Sequence, residues 1–503
     1  MRKLTLWVSL YILIISANVG AQNPEIQHYG DRITADGLKE YLAILASDAM
    51  EGRETGKRGQ KMAAAFIRAH FEELGLVPPV NGDYYQTFDL YSTRPGENYV
   101  AIGDTRFNNF TDVTFYGNID SGGEVSTPLV FGGDGSDEAL SQLGEVKGKA
   151  ILLIAENEFP TNEKLQLLRS KGVKMIFVSH AKTKPDFDAA SVQIRSFSGS
   201  RDLSLQKPLS NSSVPGVFIV SPVMTEKFFG LPRNELIKIM AGGYKKAALK
   251  KIKPVEIKYK TSSNLKPIKS ENVLGYLEGS DKKDEVIVIT AHYDHVGVKT
   301  EGDGDLIHNG ADDDASGTAA VMELAKIFVQ AKQEGKGPRR SILFMLVTAE
   351  EKGLLGSNYY TQSPVFPLEN TVVNLNIDMI GRRDPQHQDS APYVYVIGAD
   401  KLSAELNRVS ETINKQYTNL IFDYTYNDVN HPDRLYYRSD HWNFAKKNIP
   451  IIFYFDGIHE DYHKPSDEIE KIEFDLLTKR AQCIFYTAWE IANRPERIVP
   501  DQK

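Results

Sequence analysis

Val286-Ile287-Val288-Ile289-Thr290, followed at once by Ala291-His292-Tyr293-Asp294-His295, is the stretch on which the fold turns. A continuous apolar run of this length is what a buried parallel strand requires, because both of its faces are covered. Its carboxyl end opens directly into histidines and a carboxylate. The same arrangement recurs downstream: Ser341–Val347 leads to Glu350 and Glu351, Val372–Ile377 to Asp378, and Ile451–Phe455 to His459, Asp461 and His463. Tyr393–Ile397 reads as a further strand. Helices fall between them, after Ser316 (Val321, Leu324, Ala325 and Phe328 on one face) and near 401–416, 439–447 and 474–493. The alternation predicts an α/β fold with a mixed, mostly parallel sheet and helices on both faces. Ligands of such sheets collect outside the carboxyl ends of the strands. The charged residues fall there, and Asp312, Asp313 and Asp314 occupy a loop just before a helix.

Residues 35–76 read as helices: Ala63, Phe66, Ile67 and Phe71 recur near helical spacing and Gly75 stops the pattern. A polar loop punctuated by glycine, Met50-Glu51-Gly52-Arg53-Glu54-Thr55-Gly56, interrupts them. From about 112 to 255 the texture changes to short β-rich runs, Ala150–Ala155, Met175–Ser179 and Gly216–Val220, with no ligand-like spacing of His and carboxylates. This predicts an inserted, non-catalytic, β-rich domain over 112–255, with 22–111 as the N-terminal helical part and 256–503 as the main catalytic part. The basic run Lys245–Lys260 reads as a solvated face at a domain edge.

Residues 1–21 read as a cleaved signal peptide. Arg2 and Lys3 precede the mostly apolar Leu4–Ile15, and small residues Val19-Gly20-Ala21 follow. The expectation is an exported protein, periplasmic or secreted, with no stable membrane anchor after cleavage. In the 503 residues, 59 Lys+Arg against 67 Asp+Glu leave a net charge of −8, which argues against a nucleic-acid partner. Cys483 is the single cysteine, so neither an internal disulfide nor a Cys-rich zinc site is possible. Any metal must be held by His, Asp and Glu.

Two divalent cations a few Å apart repel, so one carboxylate must bridge them and others must neutralise charge. A further carboxylate free of the metals can take a proton from water. Spacing alone leaves several choices open: His292 or His295, which of three consecutive Asp, His459 or His463, Glu350 or Glu351.

The segments Ala291–His295, Gly310–Gly317, Ala349–Ser357, Asn376–Met379 and Tyr462–Asp467, in this order, resemble the signature set of the co-catalytic zinc aminopeptidases and glutamate carboxypeptidases of clan MH, which have a phosphorylase/hydrolase-like α/β fold. The loop Met50–Gly56 is similar to the N-terminal part of exported bacterial members. The insert, through Glu145–Ala150, resembles a protease-associated domain. The resemblance implies two Zn2+ per chain, with His292 and Asp378 on one ion, Glu351 and His463 on the other, and Asp313 bridging. It implies Glu350 as general base, Asp294 orienting His292, and a cis peptide at Asp313–Asp314. Asp312 and Asp314 would cap the next helix or be solvated. Ser439-Asp440-His441 reads as a helix N-cap. His28, His70, His180, His308, His387 and His431 read as structural or exposed.

The expected activity is peptide hydrolysis, with an aminopeptidase ahead of a carboxypeptidase or dipeptidase. A glutaminyl cyclase or a non-catalytic binding protein would not need the complete ligand set. The aromatic-rich segment Ile421–Trp442, with Phe422, Tyr424, Tyr426, Tyr436, Tyr437 and Trp442, is expected either to wall a side-chain pocket or to be ordinary core.

Overall fold

The computed structural model describes residues 23–117, 120–200, 203–207, 216–299 and 302–502. The expected leader, 1–21, lies outside the described residues. The chain forms two compact units: one runs to Thr87 and resumes at Glu271, and the other is Phe88–Ser270.

In the first unit, seven strands position the charged loops: β1 (Ser263–Leu277, its later part), β2 (Lys282–His292), β3 (Arg340–Val347), β4 (Thr371–Ile377), β5 (Tyr393–Ile397), β6 (Ile421–Asp423) and β7 (Ile451–Phe455). Their order across the sheet is β6-β5-β7-β4-β2-β3-β1. The centre is parallel, with Ile289 opposite both Phe344 and Leu375, and Leu375 opposite Ile452. β1 and β5 run antiparallel to their inner neighbours, β3 and β7. The sheet is therefore mixed around a parallel core, as expected.

Alternate residues of each strand feed two cores, because successive strand side chains point to opposite faces. Ile287, Ile289, Ala291, Val373 and Leu375 pack with helices Ala35–Leu45, Arg58–Glu73, Gly317–Gln333, Ala404–Ile413 and Phe474–Asn493. Val286, Val288, Phe453 and Phe455 face Tyr360 and Phe444, from the helices Leu355–Gln362 and His441–Ala445. Helices thus cover both faces. Among the described residues, no helix is long and apolar enough to cross a membrane.

The second unit is wider than the expected 112–255. Its sheet recruits Tyr99–Ile102 and Thr105–Asn108 from before the expected boundary, and Val255–Lys260 from its end. Tyr99–Ile102 pairs with Val255–Lys260, so the strands flanking the expected boundary belong to one ladder. The unit is also more than β-rich. Val125–Phe131, Ala150–Ile154, Met175–Ser179 and Val217–Val220 are parallel neighbours, and intervening helices connect them. In the basic run, Lys258 and Lys260 lie on the Val255–Lys260 strand, paired with Glu124 and Glu97.

Candidate metal centre

β2, β3, β4 and β7 run in the same direction, so their carboxyl ends open onto one side of the sheet. β2 ends at His292, β3 leads to Glu350 and Glu351, β4 to Asp378 and β7 to the loop bearing His463. Tight turns aim these side chains. Ala349 (φ 57°), Met379 (φ 59°) and His463 (φ 55°) adopt left-handed backbone, one beside or at each of three strand-end sites. An L-residue there costs on the order of 1 kcal/mol, so the surrounding packing must hold it. The Asp313–Asp314 peptide is cis, as the resemblance implies. Gly310 (φ 56°) precedes this loop, and a Cβ on it would meet the Asp313 carbonyl oxygen at 2.2 Å and the His295 ring at 2.5 Å.

The five expected ligands converge, with Asp313 in the middle. Its Oδ1 lies 3.2 Å from His292 Nε2 and its Oδ2 lies 3.0 Å from His463 Nε2. His292 Nε2 is 3.5 Å from Asp378 Oδ1, and His463 Nε2 is 3.2 Å from Glu351 Oε1. Glu350 stands beside these groups, its Oε2 4.0 Å from His292 Nε2. His295 also enters the cluster, its Nδ1 2.9 Å from Glu351 Oε1 and 3.8 Å from Asp313 Oδ2. Sequence reasoning had set His295 aside.

The donor set fits divalent cations. Buried polar atoms are ordinarily hydrogen-bonded, yet Asp313 Oδ2, Glu351 Oε1 and both His295 ring nitrogens make no aligned hydrogen bond, close as their neighbours are. Imidazole nitrogen with carboxylate oxygen is zinc's habitual donor set when thiolate is absent. The charges reinforce this. Burial disfavours protonated His292, but Asp378, Glu350 and Asp313 outweigh it and hold the ring well above its usual value. Burial likewise opposes protonation of His463, but the carboxylates of Asp313 and Glu351 beside it raise it to about 10. Burial would raise Glu351, as would Asp313, yet the neighbouring His295 and His463 rings lower it to about 2. Glu350 goes the other way: burial, then Glu351 and Asp378, push it well up.

A surrounding layer fixes the ligands. The His292 Nδ1 sits 3.0 Å from the Asp294 main-chain carbonyl, whereas the Asp294 carboxylate is 3.9 Å away. Asp294 therefore meets the ring through its backbone. Its carboxylate accepts from Thr55 Oγ1 at 2.7 Å and from the Glu350 N–H at 3.2 Å. Asp314 is not solvated. It caps the Gly317 N–H and also accepts from the N–H groups of Met379 and His292, which ties two strand ends together. Asp312 is buried too, accepting from Gly381 N–H, with His459 3.2 Å away. Asp467 accepts from the N–H groups of Asp312 and Asp313. Ser439, read as part of a helix cap, donates to Asp378 Oδ2 at 2.6 Å. Asp440 precedes the helix His441–Ala445 without capping it; it is buried against Ser357, and burial raises it to about 7. His387 lies between Asp384 and Asp423.

Arg53 is the residue whose role the sequence concealed. Fully buried, it donates to the carbonyls of Tyr293, Leu45, Asn309 and Gly310. It pins the glycine-punctuated loop to both ligand-bearing segments. The signal was its place between Gly52 and Glu54 in a loop whose φ is positive at Glu51, Gly52 and Arg53.

A cavity opens on His292, Asp313, Glu350 and Asp378, and Met379, Leu435, Phe453, Phe455, Ile458 and Tyr462 line its wall with Arg438. None of the six aromatic residues expected there lines it. Tyr426 and Tyr436 are core, and Phe422, Tyr424, Tyr437 and Trp442 pack against the cores. The pocket's aromatics come instead from β7, whose alternate residues Phe453 and Phe455 share one face, and from Tyr462 in the loop that follows it.

A mixed α/β sheet whose carboxyl ends gather two imidazole–carboxylate groups around a shared aspartate defines a metallohydrolase-type site. Residues 272–488 match Peptidase family M28. Among curated proteins, it is 28% identical over 266 residues to a "Probable zinc metalloprotease" of Pyrenophora tritici-repentis, covering 46% of this chain and 53% of that protein. It is 26% identical over 258 residues to "Aminopeptidase YwaD" of Bacillus subtilis, covering 50% of each. The matched region thus spans about half the length of these relatives. Among solved structures, an aminopeptidase from Aneurinibacillus sp. strain AM-1 shares the fold at TM-score 0.55 and 18% identity, with 95% of this chain and 98% of that chain covered. BSAP, a zinc aminopeptidase from Bacillus subtilis, aligns at TM-score 0.50 and 19% identity, over 94% and 99%.

Proposed function

We propose that the protein is an exported exopeptidase holding two zinc ions, acting as an aminopeptidase on peptide substrates. The observation that carries this reading is Asp313, one oxygen toward His292, which Asp378 also approaches, and the other toward His463, which Glu351 also approaches. His292, Asp313 and Asp378 would hold one ion and His463, Asp313 and Glu351 the other. Zinc, when bound, would supply Lewis acidity toward the scissile carbonyl. Glu350 stands beside the ligands and would take the proton of the attacking water, then pass it to the leaving amine. Asp294 holds the Glu350 backbone through its carboxylate, and the His292 ring through its carbonyl. Met379, Leu435, Phe453, Phe455 and Ile458 give the pocket an apolar wall, which favours apolar or aromatic residues at the cleaved end.

Arg438 supports a second reading. A guanidinium in the same pocket could receive a substrate carboxylate, as a carboxypeptidase or dipeptidase requires. Leu-, Phe-, Lys- and Glu-nitroanilides, assayed beside N-acetylated controls and N-blocked dipeptides with free C-termini, separate the two. An aminopeptidase cleaves the first set, favours Leu and Phe, and spares the blocked compounds. Cleavage confined to blocked dipeptides transfers the assignment to the carboxypeptidase, and cleavage of nothing removes both. The basic, then apolar N-terminal stretch supports export; finding the full-length chain in the cytoplasm of an expressing bacterium would refute it.

A further inference from the structure

Asn374, Thr290 and Asn376 are amides and a hydroxyl within the buried stretches of β4 and β2, themselves fully buried. Such groups are costly unless satisfied, and strands of this kind are normally filled with Val, Ile and Leu. Here they form one continuous line. Asn374 Nδ2 donates to Thr290 Oγ1 at 2.9 Å, and Thr290 Oγ1 donates to Asn376 Oδ1 at 2.6 Å. Asn376 Nδ2 donates to Ser439 Oγ at 2.8 Å, and Ser439 Oγ donates to Asp378 Oδ2 at 2.6 Å.

The direction of the line is forced from its far end. An ionised Asp378 can only accept, so the Ser439 hydroxyl must donate. Its lone pairs are then free for the Asn376 amide N–H, which turns Asn376 Oδ1 toward Thr290. Thr290 must donate in turn, and its oxygen accepts from Asn374. Every group gives in one direction, so the bonds polarise one another. The geometry adds a second consequence. Thr290 and Asn376 are register partners, and two residues beyond them lie His292, at the end of β2, and Asp378, just past the end of β4. With a side-chain period of two, all four share one face of the sheet. The Thr290–Asn376 bond therefore fixes the two strand ends from which His292 and Asp378 project.

We infer that Thr290 and Asn376 are positioning residues that act through Ser439 to orient the Asp378 carboxylate for its metal. The inference rests on the metal-binding part of the proposed function but not on the peptide substrate. Thr290→Val removes the hydroxyl and keeps the shape; Thr290→Ser keeps the hydroxyl and leaves a methyl-sized void. The relay predicts that Val lowers zinc affinity about tenfold or more, the usual effect of losing an outer-layer partner. It predicts that Ser restores affinity to near wild type, whereas simple packing predicts the reverse order.

Zinc affinity of the full-length apoprotein is measured by competition with a chromogenic chelator, and apoprotein Tm reports folding. If Thr290→Val does not fold, Ser439→Ala, at the loop end of the line, carries the same test. The double variant should bind zinc no more weakly than Ser439→Ala alone, because both cut one chain. Equal affinities for wild type, Thr290→Val and Ser439→Ala, or fully additive losses, overturn the inference. So does a Thr290→Ser loss as large as that of Thr290→Val. Absent hydrolysis with these zinc differences intact would fail only the aminopeptidase reading. On Leu-nitroanilide the loss should appear in kcat more than in KM, since the pocket wall is untouched.

Discussion

Replacing Arg53 by Met tests whether the glycine-punctuated loop supports the metal centre from behind. Met has similar length and no donor. The substitution removes the guanidinium bonds to Tyr293, Leu45, Asn309 and Gly310 carbonyls. Charge-assisted bonds contribute about 1.5–3 kcal/mol each, so the gross loss approaches about 6–12 kcal/mol. Relief from holding a buried charge offsets several kcal/mol of this. Asp313, Asp314, Asp467 and Asp294 all bear on Arg53 electrostatically, so removing the cation also leaves an acidic cluster less compensated. A net loss of about 3–5 kcal/mol follows, the usual result of removing one side of a buried charged network. In a unit of this size that is roughly 2 °C per kcal/mol, or about 6–10 °C in Tm. Zinc affinity should fall as well, because Asn309 and Gly310 lead directly into Asp313. Thermal unfolding of the metal-free protein followed by zinc titration measures both. Arg53→Lys should recover only part, since an ammonium lacks the planar fork. A metal-free Tm within about 2 °C of wild type for Arg53→Met would refute the reasoning, because four buried carbonyls cannot lose a charged donor at so small a cost.

Glu350→Gln should lower kcat by about 10²–10⁴-fold and leave zinc binding intact, as it deletes a proton acceptor and not a ligand; near-wild-type turnover would reassign the base. Glu351→Gln should weaken zinc binding, which the same chelator competition reads. Asp467→Ala strips the acceptor from the Asp312 and Asp313 N–H groups and should weaken zinc binding about 10–100-fold; unchanged affinity would show that these two bonds do not hold Asp313 in place. The metal-free protein should lose stability as pH rises from about 6.5 to about 10. Folded His463 keeps its proton to about 10, whereas the unfolded ring gives it up near about 6.5. Ionisation of buried Glu350 acts in the same direction, since its carboxyl is held well up. Saturating zinc should flatten this dependence by replacing the protons, and a metal-free Tm that climbs across the window contradicts it.

Strand–helix alternation and the charged residues beyond each strand were legible in the sequence, because both are local. A doubly covered strand must be apolar throughout, and its ligands must follow it within a few residues. Val286–Thr290 with His292, and Val372–Ile377 with Asp378, show this directly. The ligand identities needed family resemblance, since spacing treats Glu350 and Glu351 alike. What the sequence alone could not decide was which distant side chains meet. Arg53 binds carbonyls up to 257 positions away, partners that its place in a glycine-punctuated loop does not identify. Phe453 and Phe455 line the pocket because β7 sits next to β4, while the aromatic-rich stretch before β7 turns into the core. His295 faces Glu351 only because the β2 loop folds back on Arg53, whose carbonyl accepts from the His295 N–H. The second unit's limits were set by pairing between Tyr99–Ile102 and Val255–Lys260, segments far apart in the chain. Periodicity and motif record what each segment must bury or expose; partnership between segments depends on strand order and on hydrogen bonds closed over long loops, which only the assembled chain specifies.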